Sequence, residues 1–300
     1  MKDAEPQWEW YRTFLHVLET GSLSAAGRAI GLTQPTVGRH IDSLEATLGV
    51  KLFTRSFDGF APTDVARELE PYAAATAATV AALRRVASGH GSGVRGTVRL
   101  TASEVIGVEV LPPILADLRV RNPELSIEVV LSNQVADLMH READIAIRMV
   151  QPLQDALVAR KVGSVELGLH AHQRYLDTHG LPTSMDDLGR HTLVGFDTEN
   201  EFIRKQRYKL PAFSRAALGF RADSDLAQLG AIRAGFGIGV CQVALAARDR
   251  SLVRVLKKDF SLAMPTWIAM HEDLRDSPRC AATFAALIKG LSAYTSGKSI

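Results

Sequence analysis

Gln34, Thr36 and Arg39 stand in one short stretch of the chain and offer three kinds of hydrogen-bonding head. An amide, a hydroxyl and a guanidinium are groups that read base edges in a nucleic-acid groove, glutamine being suited to adenine and arginine to guanine. The residue types alone do not say which bases they meet. A second chemistry sits further on. Ser103 lies just before a predicted helix start, where free N–H groups favour an anion. Arg148 can clamp a carboxylate through two parallel bonds, or can pair with an acidic neighbour. Together they point to a small organic anion, a carboxylate or an aromatic acid.

Other combinations carry no such chemistry. Gly235-Phe236-Gly237-Ile238-Gly239 follows a helix pattern rather than a strand, without dinucleotide-binding spacing, and reads as a turn. Cys241 and Cys280 lie 39 positions apart with no flanking cationic cluster, so both read as buried small hydrophobes rather than a redox pair. The nine histidines are scattered and none is assigned to a metal. No zinc-protease, nucleophile-elbow or catalytic-dyad spacing occurs, so neither an enzyme nor a cofactor is expected.

The base-reading candidates need a helix to present them. Tyr11, Phe14, Leu15 and Leu18 recur at helical spacing within a first helix from Trp8 to Glu19, ended by Gly21-Ser22. Ser24 is the expected cap of a second helix, Ala25 to Ile30, closed by Gly31. Thr33 caps a third, with Pro35 in its first turn, running to about Leu48 and closed by Gly49. Its apolar stripe is Val37, Ile41, Leu44 and Leu48; its outer face is Thr36, Arg39, His40, Ser43 and Thr47. Two helices joined by Gly31-Leu32-Thr33 match a helix-turn-helix, whose second helix enters a major groove by its first turn. The pattern alone also fits a helical hairpin inside an ordinary bundle.

Val50 to Phe53 and Phe60 to Pro62 read as strands around a turn at Asp58-Gly59, which makes a two-stranded wing. Thr63 then caps a long helix to about Ala87. Leu69, Ala73, Thr76, Val80, Leu83 and Ala87 alternate spacings of four and three along it, a seam for a second helix, and Pro71 is expected to kink it. The seam is read as a dimerisation surface, with packing onto its own domain as the other option.

At 300 residues the chain exceeds one compact core. Its 46% hydrophobic and 23% charged content is ordinary for a globular protein and excludes a disordered one. No apolar run is long enough to span a bilayer, the longest being Phe236 to Ala247. The first residues mix charges without an apolar core, unlike a signal peptide, so a cytoplasmic location is expected. A net charge of +2 says little about nucleic acid; residues 1–90 hold nine Lys and Arg against ten Asp and Glu. Geometry has to carry that argument.

Phe14 through Thr63 closely resembles the DNA-binding domain of LysR-type transcriptional regulators. The carriers are Gly21-Ser22-Leu23-Ser24-Ala25-Ala26, Thr33-Gln34-Pro35-Thr36-Val37, Ile41-Asp42-Ser43-Leu44-Glu45 and Leu48-Gly49-Val50-Lys51-Leu52-Phe53-Thr54-Arg55. The likeness runs on through Asp144-Ile145-Ala146-Ile147-Arg148 and Gly235 to Val240, close to full length. It implies an all-α winged helix-turn-helix N-terminal domain (1–62) plus a linker helix (63–88). A hinge (89–93) and a two-lobed α/β effector-binding domain resembling periplasmic binding proteins (94–300) follow. Gln34, Thr36 and Arg39 become base readers, Arg28, Ser43 and Arg55 backbone contacts, with Thr33, Pro35 and His40 beside them. The implied partners are double-stranded DNA carrying an interrupted inverted repeat, a small effector, and further copies of the chain, as a dimer or tetramer. An effector-independent or redox-responsive regulator of the same family is the alternative. The sequence departs from the family at Gly38, usually serine, at Asp58, often a basic wing tip, and at Val65-Ala66, usually Ala-Gly. Fewer phosphate contacts are therefore expected.

Beyond the glycine-rich Ser88 to Gly93, strands alternate with helices: Thr97 to Ala102, a helix from Leu111 to Val120, Ile127 to Leu131, a helix from Val135 to Arg141, and Ala143 to Ile147. This predicts a parallel, doubly wound sheet. Leu167 to His170 and Thr192 to Phe196 begin a second such unit. The resemblance implies two lobes hinged by crossing strands, placed near Val162 to Val165 and Pro265 to Ala269, which divide lobe I (94–162 and 268–300) from lobe II (163–267). Ligands in such sheets sit beyond the carboxyl ends of strands. Those ends name Ala102, Ser103, Ser132, Asn133 and Arg148 in one lobe, and Phe196, Asp223 and Ser224 in the other, as the effector site.

Overall fold

The computed structural model describes residues 5–56, 59–88, 93–133, 143–152, 156–199 and 201–298. The described residues form two compact units, 5–86 and 87 onward.

In the first unit α1 (Trp8–Thr20), α2 (Leu23–Ile30) and α3 (Gln34–Leu48) precede a ribbon of β1 (Phe53–Ser56) and β2 (Gly59–Pro62) and then α4 (Asp64–Ser88). Phe14, Val17, Ala26, Val37, Ile41, Leu44, Leu52 and Phe53 form its core, with Ala66 and Ala73 of α4 packed onto it. Each fully buried Phe, Val, Ile or Leu here contributes about 1.5–3 kcal/mol. The turn between α2 and α3 is too tight for a side chain at Gly27, where an added Cβ would stand 2.6 Å from the Leu32 carbonyl oxygen.

Three local expectations need correction. Ser22, not Ser24, caps α2, since Ser22 is extended and its hydroxyl accepts from Ala25 N. Thr33 occupies the cap position of α3, but its hydroxyl bonds Thr36 Oγ1 at 2.9 Å rather than the backbone. The first ribbon strand begins at Phe53, because the Glu45 carboxylate takes the N–H groups of Leu52 and Phe53. Its pairing runs from Phe53↔Pro62 to Ser56↔Gly59, so Gly59 is a strand residue, and Asp58 lies outside the described residues. Thr63 does cap α4 through Ala66 N, and Pro71 lies inside that helix. Of its seam, Leu69 and Ala73 pack on the unit's own core, whereas Thr76, Leu83 and Ala87 are exposed.

The second unit runs β3 (Gly96–Ala102), a π-helical segment (Ile106–Val110), α5 (Leu111–Arg121), β4 (Leu125–Leu131) and β5 (Ile145–Arg148). Next come β6 (Leu157–His172), α6 (Gln173–His179), β7 (Leu193–Gly195), α7 (Glu201–Gln206), β8 (Leu218–Arg221) and α8 (Asp225–Arg233). β9 (Ile238–Gln242), α9 (Val243–Ala246), β10 (Leu252–Val255), β11 (Leu262–His271) and α10 (Pro278–Thr295) complete it. The helix expected over Val135 to Arg141 lies outside the described residues.

One sheet joins all nine strands in the order β4-β3-β5-β11-β6-β9-β7-β8, with β10 on β6. It is mixed rather than parallel throughout. Pairs at its ends, such as β3 with β4 and β7 with β8, are parallel; β6 and β11 run antiparallel to each other and to their neighbours. These two long strands serve two cores. Val162, Val165, Ile268 and Met270 are buried with β3, β5, α5 and α10, while Leu169 and Ala171 are buried with Tyr175, Leu193 and Ile238. Where the cores meet, the β6–β11 register shifts between Thr266 and Trp267, opposite Gly163 at φ 130°.

Candidate functional site

The first turn of α3 is exposed. Thr33, Gln34, Pro35 and Arg39 face solvent, as does Arg28 at the end of α2; Thr36, His40 and Ser43 are half-buried. Arg55 lies in β1. Several of these heads are already oriented. Ser24 Oγ donates to Gln34 Oε1 at 2.9 Å, leaving the glutamine amide N–H groups to donate outward. The Thr13 hydroxyl donates to the Glu9 carbonyl, so His40 Nδ1, 2.9 Å from it, carries the proton and donates to Thr13. His40 thus tethers α3 to α1, a role its place on the outer face did not suggest.

Glu45, on the inner side of α3 and 7% exposed, joins α3 to the ribbon. Its carboxylate accepts from Leu52 N (2.9 Å), Phe53 N (3.3 Å) and Lys51 Nζ (2.5 Å). Burial works to raise its pKa, but the Lys51 bond and the two backbone bonds outweigh burial and hold it below its ordinary range.

The second cluster lies at the carboxyl ends of β3 and β4. Ser103 O accepts from Gly107 N, placing Ser103 at the start of the helix that follows β3, as expected. Ser132 N donates to Ala102 O, and Asn133 Oδ1 accepts from Glu104 N at 3.3 Å. From the other half of the sheet, Ser224 caps α8. The two halves meet here: Ser224 Oγ donates to Glu104 Oε2 at 2.7 Å, Leu226 N approaches the same oxygen at 3.4 Å, and Asn133 Nδ2 donates to Asp225 Oδ2 at 3.0 Å. Burial, and then the charge of Glu104, raise the Asp225 pKa. At the far end of α8, Arg233 grips the Glu109 carboxylate at 2.5 and 3.0 Å, and Arg248 donates to the Glu109 carbonyl.

Ala102, Ser103, Ser132, Asn133 and Ser224 are thereby brought together. The others stand differently. Buried Arg148 donates to Ile147 O (3.0 Å) and Thr101 Oγ1 (2.9 Å), bonds that clamping a carboxylate would disturb. Asp223 accepts from Thr198, and Phe196 is half-buried past the end of β7. Glu104, Glu109, Asp225 and Arg233 were missed, because their partners lie far away in sequence. A hollow lined by Gly93, Arg95, Arg121 and Glu124 sits at the opposite, amino ends of β3 and β4. Among the described residues no His, Cys, Asp and Glu group could hold a metal, and no helix is long and apolar enough to cross a membrane.

Residues 8–67 match the family model described as "Bacterial regulatory helix-turn-helix protein, lysR family", and residues 91–292 match the LysR substrate binding domain. The chain belongs to the LysR family. Its relatives include an HTH-type transcriptional regulator of Xanthomonas campestris pv. campestris, 29% identical over 195 residues, covering 65% of this chain. That match spans 56% of the relative's own length. The LysR-type regulator CrgA of Neisseria meningitidis shares the fold with a TM-score of 0.58 at 23% identity, over 96% of this chain and 99% of that one. Full-length CbnR, solved complexed with its target DNA, gives 0.66 at 17% identity, over 95% and 99%. All three carry names of regulators, none of an enzyme.

Proposed function

We propose that this LysR-family chain is a cytoplasmic DNA-binding transcriptional regulator, not an enzyme, whose promoter binding is modulated by a small organic anion held between two lobes. One observation supports the DNA half most: the exposed first turn of the second helix of the helix-turn-helix presents Gln34 with its amide already oriented by Ser24. Gln34, Thr36 and Arg39 read bases; Arg28, Thr33, Pro35, Ser43 and Arg55 lie along the backbone, with His40 holding α3 in place. CbnR is named as binding target DNA through the same fold. The exposed seam residues of α4, Leu83 among them, pair with a second copy. Dimers then join on an interrupted inverted repeat.

The effector half rests on polar groups from both lobes converging at the strand ends: Ser103, Ser132 and Asn133 from lobe I (94–162 and 268–300), and Ser224 from lobe II (163–267). Arg148, Phe196 and Asp223 complete the proposed lining. An effector shifts DNA bending only if it binds one lobe arrangement better than the other. Gln34→Ala is expected to weaken binding to a target duplex while leaving a scrambled duplex unaffected; equal loss on both would refute the base-reading role. A thermal-shift screen of the full chain against small acids, amino acids and aromatics tests the effector half, since binding raises the melting temperature by mass action.

A further inference from the structure

The place where an acid is expected between the lobes already holds one. Glu104 Oε2 accepts a hydrogen bond from the Ser224 hydroxyl at 2.7 Å and faces Leu226 N, in the first turn of α8, at 3.4 Å. Ser224 in turn accepts from Ala227 N, so the donors at this helix start are spoken for by Glu104 and Ser224. These are the groups an effector carboxylate would use, because unpaired N–H groups at a helix start attract negative charge.

We infer that Glu104 is a ligand built into the chain: its carboxylate sits at the amino end of α8 in the place of an acidic effector and holds the lobes together until an acid displaces it. This rests on the effector reading above. The backbone is shaped for the contact. Leu111 N bonds Ile106 O, the i to i+5 pattern of a π-helix, so this segment winds more widely than an α-helix. In a regular α-helix residues five apart diverge by about 140°. Here Glu104 and Glu109, five apart, both reach α8, one at its first turn and the other at Arg233 in its last. Between them Val105 packs on the cluster of Leu229 and Ile232. Asn133 fixes the Glu104 backbone and also holds Asp225, so the carboxylate is aimed rather than loose.

The contact also has a built-in weakness. Asn133 bonds both the Glu104 N–H and the Asp225 carboxyl group, so a second acidic group stands beside the seat and weakens the hold of Glu104 on it. A tethered carboxylate competes at a high effective concentration. A bare small acid therefore fails to bind the parent, and the natural effector needs contacts beyond its carboxylate.

The test uses the full chain, acetate as probe, and hydrogen exchange at the amides of residues 226–228. In the parent these amides are protected and indifferent to acetate. In Glu104→Ala they exchange roughly tenfold faster, the loss of a charged hydrogen-bond acceptor, and acetate restores protection where chloride at equal ionic strength does not. Glu104→Gln keeps an acceptor for Ser224 without the charge, gives a smaller loss with a weaker acetate response, and stands in should the alanine variant not fold. Unchanged exchange in both variants, faster exchange that acetate fails to reverse, or acetate protection equal in parent and variant would each overturn the inference. A screen in which no acid binds, beside a positive acetate rescue, would count against the effector reading alone.

Discussion

Ser24 Oγ donates to Oε1 of Gln34 at 2.9 Å, so a residue of the first helix of the pair sets how the second helix presents its amide. With its oxygen held by Ser24, the amide N–H groups of Gln34 are turned outward, and under the base-reading proposal they donate to a base edge. Ser24→Ala releases the oxygen. One hydrogen bond is worth about 1 kcal/mol, so target affinity is expected to fall roughly fivefold with scrambled-duplex affinity unchanged. Fluorescence anisotropy on both duplexes at one salt concentration measures it, and a parallel loss on the two would remove the orienting role.

Gly38 stands where family members usually carry serine, and an added Cβ there meets only Leu23 Cδ1 at 3.8 Å. Gly38→Ser should stabilise the first unit by about 0.5 kcal/mol through helix propensity. It should also raise DNA affinity at fixed salt. The slope of log affinity against log salt should stay the same, because a hydroxyl contacts phosphate without releasing a counterion. A steeper slope would contradict this account.

Glu45→Ala leaves the Leu52 and Phe53 N–H groups without their acceptor, at a cost of about 2–3 kcal/mol. The pH dependence has a definite sign. The folded pKa is held below the ordinary 4.5, so the stabilisation is present above that value and is lost as the pH falls through the lowered folded one. The stability gap between parent and variant should therefore be full above pH 4.5 and narrow as the pH falls through the lowered folded value. A gap independent of pH would show that the charge is irrelevant.

Burial pushes the Cys241 thiol up to about 12, and Cys280 is fully buried. A thiolate is the reactive species. Neither cysteine in the folded chain is expected to react with a thiol reagent at neutral pH before global unfolding. Stoichiometric labelling of native protein within minutes would reopen the redox-responsive reading.

What was legible in the sequence was local. The helix-turn-helix rests on 3.6-residue periodicity and on Gly31 and Gly49, signals that lie within a few residues of the ends they mark. The ribbon slipped because Glu45 reaches forward across a turn to take two strand amides, which no local propensity records. β6 was seen as two fragments, a crossing and a strand, although it is one strand of 16 residues. Its partner β11 begins far downstream, at Leu262. Ser103, Asn133 and Ser224 came from a general rule about strand ends; Glu104 and Arg233 could not, since their meaning depends on residues 120 and 124 positions away.

β11 pairs with β5 on one side and β6 on the other, so the sheet has a gap at its centre until residues 262–271 exist. During synthesis domains fold in order from the amino end. The helix-turn-helix, whose core is completed by Ala66 and Ala73 of α4, is therefore assembled long before the second unit can close. A nascent chain passes through an interval in which its helix-turn-helix is folded and its large sheet is not. Synthesis of β11 and then of α10, which supplies the rest of that core, ends the interval.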